Sequence, residues 1–308
     1  MGTYTSMIMN LMAAGYPDLG GGVTDAAEAR RLLARARTPA GPQLSRVEDR
    51  VVPGPPPVPV RIYWPGPAGR PLPVIVYFHG GGFVLGSIAT HDGICRSLAA
   101  GTSAIVISAD YRLAPEHRYP AAALDAYAVL LWAREHAGPL GGDRARIAVA
   151  GDSAGGNLAA GCCLRARDEG GPPIAFQLLI YPYVDLVSGT GSRSELADGY
   201  FLTAAHLRWF CEQYLGRPEQ AAEPHASPAR AGSLAGLPPA LVVTAEWDPL
   251  RDEGARYADQ VKAAGGQAWH CRAEGLFHGF FTMTSFLPEG RRVELAVHTA
   301  CRRVFAGG

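Results

Sequence analysis

The run IAVAGDSAGGNLAAGCCLRARD, residues 147–168, decides the fold. Residues 147–150 form a continuous apolar run, short enough for a buried strand, and residues 156–168 read as a helix. Between them, Gly151-Asp152-Ser153-Ala154-Gly155 must carry the chain from one to the other within a few residues. A Gly-x-Ser-x-Gly sequence in that context makes a turn so sharp that only small residues fit beside the serine. The turn lifts the hydroxyl above the sheet and aims the N-terminus of the next helix at it. Taken alone, the pentapeptide also fits an ordinary glycine-rich strand-to-helix turn.

On either side the pattern alternates. Apolar runs at 74–78, 105–109, 176–181 and 241–245 read as strands, and 92–100, 121–136 and 252–264 read as helices. Continuous apolar strands alternating with helices indicate a parallel sheet covered on both faces. Upstream, 24–37 reads as an amphipathic helix with Asp25 as N-cap and Glu28 three residues on. The proline-rich 53–59 reads as a breaker before a strand at 60–64, and its P-x-x-P spacing suits a turn better than an SH3-type ligand. Residues 184–239 interrupt the alternation and carry one helix, 204–215. We expect a single domain, 1–308, in which segments 1–45 and 184–239 form a helical cap over the sheet.

A second glycine cluster removes most of the ambiguity at Ser153. His79-Gly80-Gly81-Gly82 follows the strand that ends at Phe78. Backbone N–H groups can converge there on an oxyanion, joined by the N–H of Ala154. A phosphate cradle would need a following G-K-[ST], which is absent. The third signal is order: serine, then acid, then histidine. Asp248 ends the 241–245 strand, and His278 follows strand-like 268–273 within Phe277-His278-Gly279-Phe280. Among the other histidines after Ser153, His206 and His225 precede Asp248, His270 is mid-strand and His298 lies in the last helix. Ser153, Asp248 and His278 thus suit a nucleophile, an orienting acid and a general base. His79, with Gly80 and Asp152, is expected to support the glycine loop.

With residues 111–117 (YRLAPEH), 119–122 (YPAA) and 248–253 (DPLRDE), these motifs resemble the bacterial hormone-sensitive-lipase-like esterases over essentially the whole chain. The resemblance implies an α/β-hydrolase core, with a mostly parallel central sheet flanked by helices beneath a helical cap. It also implies no cofactor, hydrolysis of short- to medium-chain carboxylic esters, and oxyanion donors at Gly81, Gly82 and Ala154. His278 is present, whereas the family's plant hormone receptors have lost that histidine and only bind. Phe83, Leu85 and Tyr181, with residues of the cap, are expected to line the substrate pocket, and Phe201, Trp209 and Leu276 to belong to the core. Two rivals stand: the same machinery acting on a lactone, amide or acetylated natural product, and a non-catalytic binder. The intact triad disfavours the second.

Bulk composition agrees with a small-molecule ester as the partner. Hydrophobic residues are 48% and charged residues 18%, as in a globule with a large core. Lys+Arg and Asp+Glu are both 28, giving no electrostatic footprint for nucleic acid or an anionic membrane. Lys262 is the only lysine, which with the Ala, Gly and Pro richness reads as a coding bias. Six cysteines without a C-x-x-C pair suggest buried free thiols and no metal site. The N-terminus lacks the layout of a signal peptide, and Met1-Gly2 with Ser6 matches the short N-myristoylation pattern only by chance. No apolar run approaches the ~20 residues of a membrane span. The cytoplasm is the expected compartment, and oligomeric state is left open, a homodimer included.

Overall fold

A computed structural model describes residues 1–34, 39–67 and 69–307. Strands β1 (Arg46–Val52), β2 (Val58–Trp64), β3 (Leu72–Phe78), β4 (Ile105–Ala109), β5 (Gly142–Asp152), β6 (Phe176–Ile180), β7 (Ala240–Trp247) and β8 (Ala268–Phe277) form one sheet. Its order is β1-β2-β4-β3-β5-β6-β7-β8. β2 pairs antiparallel with both β1 and β4, and all other pairings are parallel. The helices are α1 (Thr3–Gly15), α2 (Ala26–Leu33), α3 (Asp92–Thr102), α4 (Ala121–His136), α5 (Ala154–Asp168), α6 (Gly191–Glu195), α7 (Ala204–Tyr214), α8 (Arg251–Ala263) and α9 (Pro288–Phe305).

The strand period of two divides the core between the two faces of the sheet. On β3, Val74, Val76 and Phe78 join a core that contains α4, α5 and α8 residues. Ile75 and Tyr77 point the other way, into a core shared with α3 and α9. Both sets are apolar, which is why these strands read as unbroken hydrophobic runs.

Besides the short α6, β1 and α1 escaped the sequence. β1 carries Arg46, Glu48, Asp49 and Arg50 on a half-exposed edge, so it shows no apolar run. α1 has no acidic residue in its first turn and no basic residue in its last, and no side-chain N-cap, and thus none of the usual end signals. The helix expected over 24–37 is α2, with Asp25 Oδ1 accepting the Glu28 N–H at 2.7 Å; positions 35–37 lie outside the described residues.

Residues 184–239, between β6 and β7, carry α6 and α7 and pack on the N-terminal segment. Trp209 Nε1 donates to Thr24 O at 3.1 Å, and Phe210 lies against Gly82. Arg30 of α2 reaches down to Val84 O and Ala114 O and pairs with Glu116. All six cysteines are free thiols. No helix among the described residues is long and apolar enough to cross a membrane.

Candidate active site

Ser153 occupies the turn between β5 and α5 with φ 54° and ψ −118°, a conformation an L-residue adopts only at a cost of about 1–3 kcal/mol. The surroundings enforce it. Ser153 N–H donates to Ile180 O at 2.9 Å, and Ser153 O accepts from Tyr183 N at 3.0 Å. The turn is closed so tightly that a Cβ on Gly155 would lie 1.9 Å from Phe78 O. The serine side chain emerges at the carboxyl end of the central strands, where β7 and β8 also end.

Those two strands deliver the other two groups. Asp248 follows β7 and is fully buried, with its Oδ1 accepting the Leu250 N–H at 2.8 Å. His278 follows β8, and its Nδ1 is 2.7 Å from Asp248 Oδ2. Its Nε2 is 3.0 Å from Ser153 Oγ. An imidazole placed in this way can take a proton from the hydroxyl while the buried carboxylate holds its other nitrogen. The remaining histidines make other contacts: His270 bonds Thr244 Oγ1, and His206 lies by Tyr16.

The glycine run after β3 curls back on itself. Gly81 O accepts the N–H groups of Val84 and Leu85, and Gly81 has φ +115°. A Cβ there would lie 2.3 Å from Leu85 O, so only glycine fits. Among the described residues, no backbone acceptor binds the N–H of Gly81 or Gly82. Ala154 opens α5, so its N–H is one of the first-turn donors without a partner in the helix. Phe210 of α7 walls the loop, within 2.1 Å of where a Gly82 Cβ would be.

Asp152 is more central to this loop than the sequence suggested. Its Oδ1 accepts the Gly80 N–H at 2.9 Å and the Tyr77 O–H at 2.6 Å. His79, expected to hold the loop, has Nδ1 2.8 Å from Gly80 O and stacks on Tyr111 at 4.3 Å. Burial, and then the nearby His91, push its pKa down to about 3, so it is neutral.

Of the pocket residues expected from the sequence, Tyr181 stands 4.6 Å from the His278 ring. Phe83 is stacked on Tyr214 at 3.9 Å, and Phe83, Leu85 and Tyr181 are all buried. Trp209 and Leu276 are buried as expected. Phe201 is not. It is only half-buried, at φ 69°, 3.2 Å from where a Cβ of Gly279 would be and beside Tyr16. The aromatic neighbour of the histidine loop therefore comes from the inserted segment, backed by Tyr16 just after α1, a tertiary proximity that no local motif announces.

A family model for the α/β-hydrolase fold matches residues 75–282. Esterase LipI of Mycobacterium tuberculosis is 47% identical over 263 residues, covering 84% of this chain and 82% of its own length. An arylesterase of Saccharolobus solfataricus is 40% identical, covering 72% of each chain. Among solved structures, the hyperthermophilic esterase from the archaeon Pyrobaculum calidifontis superposes with a TM-score of 0.90 at 42% identity over 98% of both chains. An ester hydrolase from the metagenome of Lake Arreo, complexed with a bipyridine phosphonate derivative, gives 0.94 at 40% identity over 99% of both. With the family match spanning most of the sheet and relatives this similar over most of their length, the chain belongs to the hormone-sensitive-lipase-like esterases of the α/β-hydrolase family.

Proposed function

We propose that this ester hydrolase works by acyl transfer through Ser153, with His278 as general base and acid and Asp248 as the orienting carboxylate. The continuous chain from Ser153 Oγ to His278 Nε2 at 3.0 Å, and from His278 Nδ1 to Asp248 Oδ2 at 2.7 Å, carries this reading. Ser153 Oγ attacks the ester carbonyl carbon as its proton passes to His278 Nε2. The carbonyl oxygen becomes an oxyanion facing the amides of Gly81, Gly82 and Ala154. When the carbon–alcohol oxygen bond breaks, His278 returns the proton to the leaving alcohol. Water, deprotonated by the same nitrogen, then adds to the acyl-enzyme and frees the acid and Ser153.

The preferred substrates on this reading are short- to medium-chain esters. The described residues of segments 1–45 and 184–239 act as a cap, bringing Tyr16, Phe201 and Phe210 over the histidine and glycine loops. A covered, aromatic-walled site suits a small acyl group better than a lipid surface. The test is labelling with a serine-directed phosphonate and peptide mapping, with Ser153→Ala as control. Stoichiometric adduct at Ser153, and a fall in kcat of about 10⁶ for the variant, are expected. Hydrolysis by Ser153→Ala within tenfold of the wild type refutes the assignment.

A further inference from the structure

Behind the glycine loop lies a buried polar cluster that the acyl-transfer steps do not use. His91, the N-cap of α3, is 7% exposed. Its Nε2 is 3.3 Å from Asp152 Oδ2, and its Nδ1 is 2.8 Å from the Thr90 hydroxyl oxygen. Thr90 Oγ1 accepts the Ser87 N–H at 2.9 Å and donates its own proton to Ser87 O at 2.9 Å. A bare Nε2 facing a carboxylate oxygen would be repelled, so on this geometry Nε2 carries a proton and donates it to Asp152 Oδ2.

The other Asp152 oxygen holds the Gly80 N–H and the Tyr77 O–H. Gly80 N also lies 3.3 Å from His91 Nε2, but once that nitrogen is protonated the Gly80 N–H belongs to Asp152 alone. The titratable groups facing the pair are Tyr77 in β3, His79 just after it, Cys95 in α3, Tyr111 after β4 and Tyr181 after β6. His79, its ring 5.5 Å from that of His91, is neutral and adds no positive charge. Burial works against a charged Asp152, but His91 and the Tyr77 hydroxyl outweigh it and hold the carboxyl below its ordinary range.

Resting on the reading of Gly81 and Gly82 as oxyanion donors, we propose that the hydrogen-bonded His91–Asp152 pair is the positioning device of that oxyanion hole. Asp152 is the residue directly before Ser153 and Gly80 the one directly before Gly81. One carboxylate therefore ties the nucleophile's turn to the donor loop and fixes their mutual register. His91 keeps that carboxylate charged and aimed. Neither residue touches substrate, so their removal acts on the transition state through the donors' positions and leaves ground-state binding largely intact.

The test combines kinetics on a soluble activated short-chain ester with nitrogen-15 NMR of histidine-labelled wild-type protein. In the wild type at neutral pH, His91 Nε2 should give the shift of a proton-bearing nitrogen. His91→Gln and Asp152→Asn preserve shape while removing the imidazole–carboxylate pair. Each should lower kcat by about 10- to 100-fold with KM changed less than about threefold, since a displacement near 1 Å costs on the order of 10² in rate. Both should still be labelled by the phosphonate. Folded His91→Gln with wild-type kcat overturns the proposal. So does a His91 Nε2 without a proton in the wild type, a result that stands even if a variant fails to fold. Absence of phosphonate labelling at Ser153 in the wild type would instead remove the reading on which the proposal rests.

Discussion

Trp247 and Phe277 face each other across β7 and β8, as do Ala245 and Ala273. One residue separates the pair on β7 and three separate it on β8. The surplus forms a bulge in β8, closed by Glu246 Oε2, which accepts the Gly275 N–H at 2.6 Å. Asp248 follows Trp247 and His278 follows Phe277, so it is the shifted register that sets their side chains 2.7 Å apart.

The acid of the proposed triad is accordingly Asp248 and not Asp252. Asp252 Oδ2 accepts the Ser192 N–H at 2.8 Å and its Oδ1 pairs with Arg251, tying α8 to α6 away from His278. Asp248→Asn should lower kcat by about 10⁴. Asp252→Asn should retain kcat within a few-fold and melt a few degrees lower. Parallel kinetics and thermal melts on the two variants read both effects, and the opposite ranking contradicts the assignment.

The glycine loop makes a separate demand. Gly81→Ala puts a methyl 2.3 Å from Leu85 O at a φ of +115°, so the peptide must rotate and its N–H leaves the oxyanion site. Loss of one such donor costs about 10²–10³ in kcat. The expected signature is that loss with phosphonate labelling slowed in proportion. Unchanged turnover in a folded Gly81→Ala protein would show that this amide is not a donor.

Stability should fall in acid for a reason that lies away from the carboxylates. Burial holds the pKa of His79 down at about 3 and that of His298 at about 4, against about 6.5 for histidine in an unfolded chain. Below pH 6.5 the unfolded chain binds protons that the folded one refuses, so the stability these residues provide is complete above that pH. It is lost as pH falls towards 4 and then 3, with each histidine contributing at most about 1.4 kcal/mol per pH unit. Urea titrations from pH 7 to pH 4 should show the decline, and His298→Gln should flatten it. A slope unchanged by that substitution excludes His298 as a source.

Specificity should follow the covered site. Each added acyl methylene gains about 0.8 kcal/mol until the chain meets a wall. kcat/KM on soluble esters should therefore rise over the first few carbons and then fall, with no activation at an emulsion interface. Faster hydrolysis of long-chain triglyceride emulsions than of soluble short-chain esters would reverse this reading. Phe201→Ala should move the optimum to longer chains, because it opens the half-buried aromatic beside Gly279.

Much of this was legible in the sequence because it is local. The turn at Ser153 is specified by residues within three positions of it, and the apolar runs of β3, β4 and β6 announce a sheet buried on both faces. The chain order of Ser153, Asp248 and His278 follows from which strand each one ends. By contrast, β1 was hidden because a charged edge strand shows no pattern of its own, and α1 because nothing marks its ends. The sequence could name Asp152 as a support of the glycine loop but not the partners through which it acts. Tertiary structure alone joins it to Gly80, Tyr77 and His91, brings Phe201 to the histidine loop, and sets the β8 bulge that aligns His278 with Asp248. The division is physical: turn geometry and strand burial are fixed by neighbours in the chain. Register between strands and pairing of buried charges depend on groups brought together only when the sheet closes.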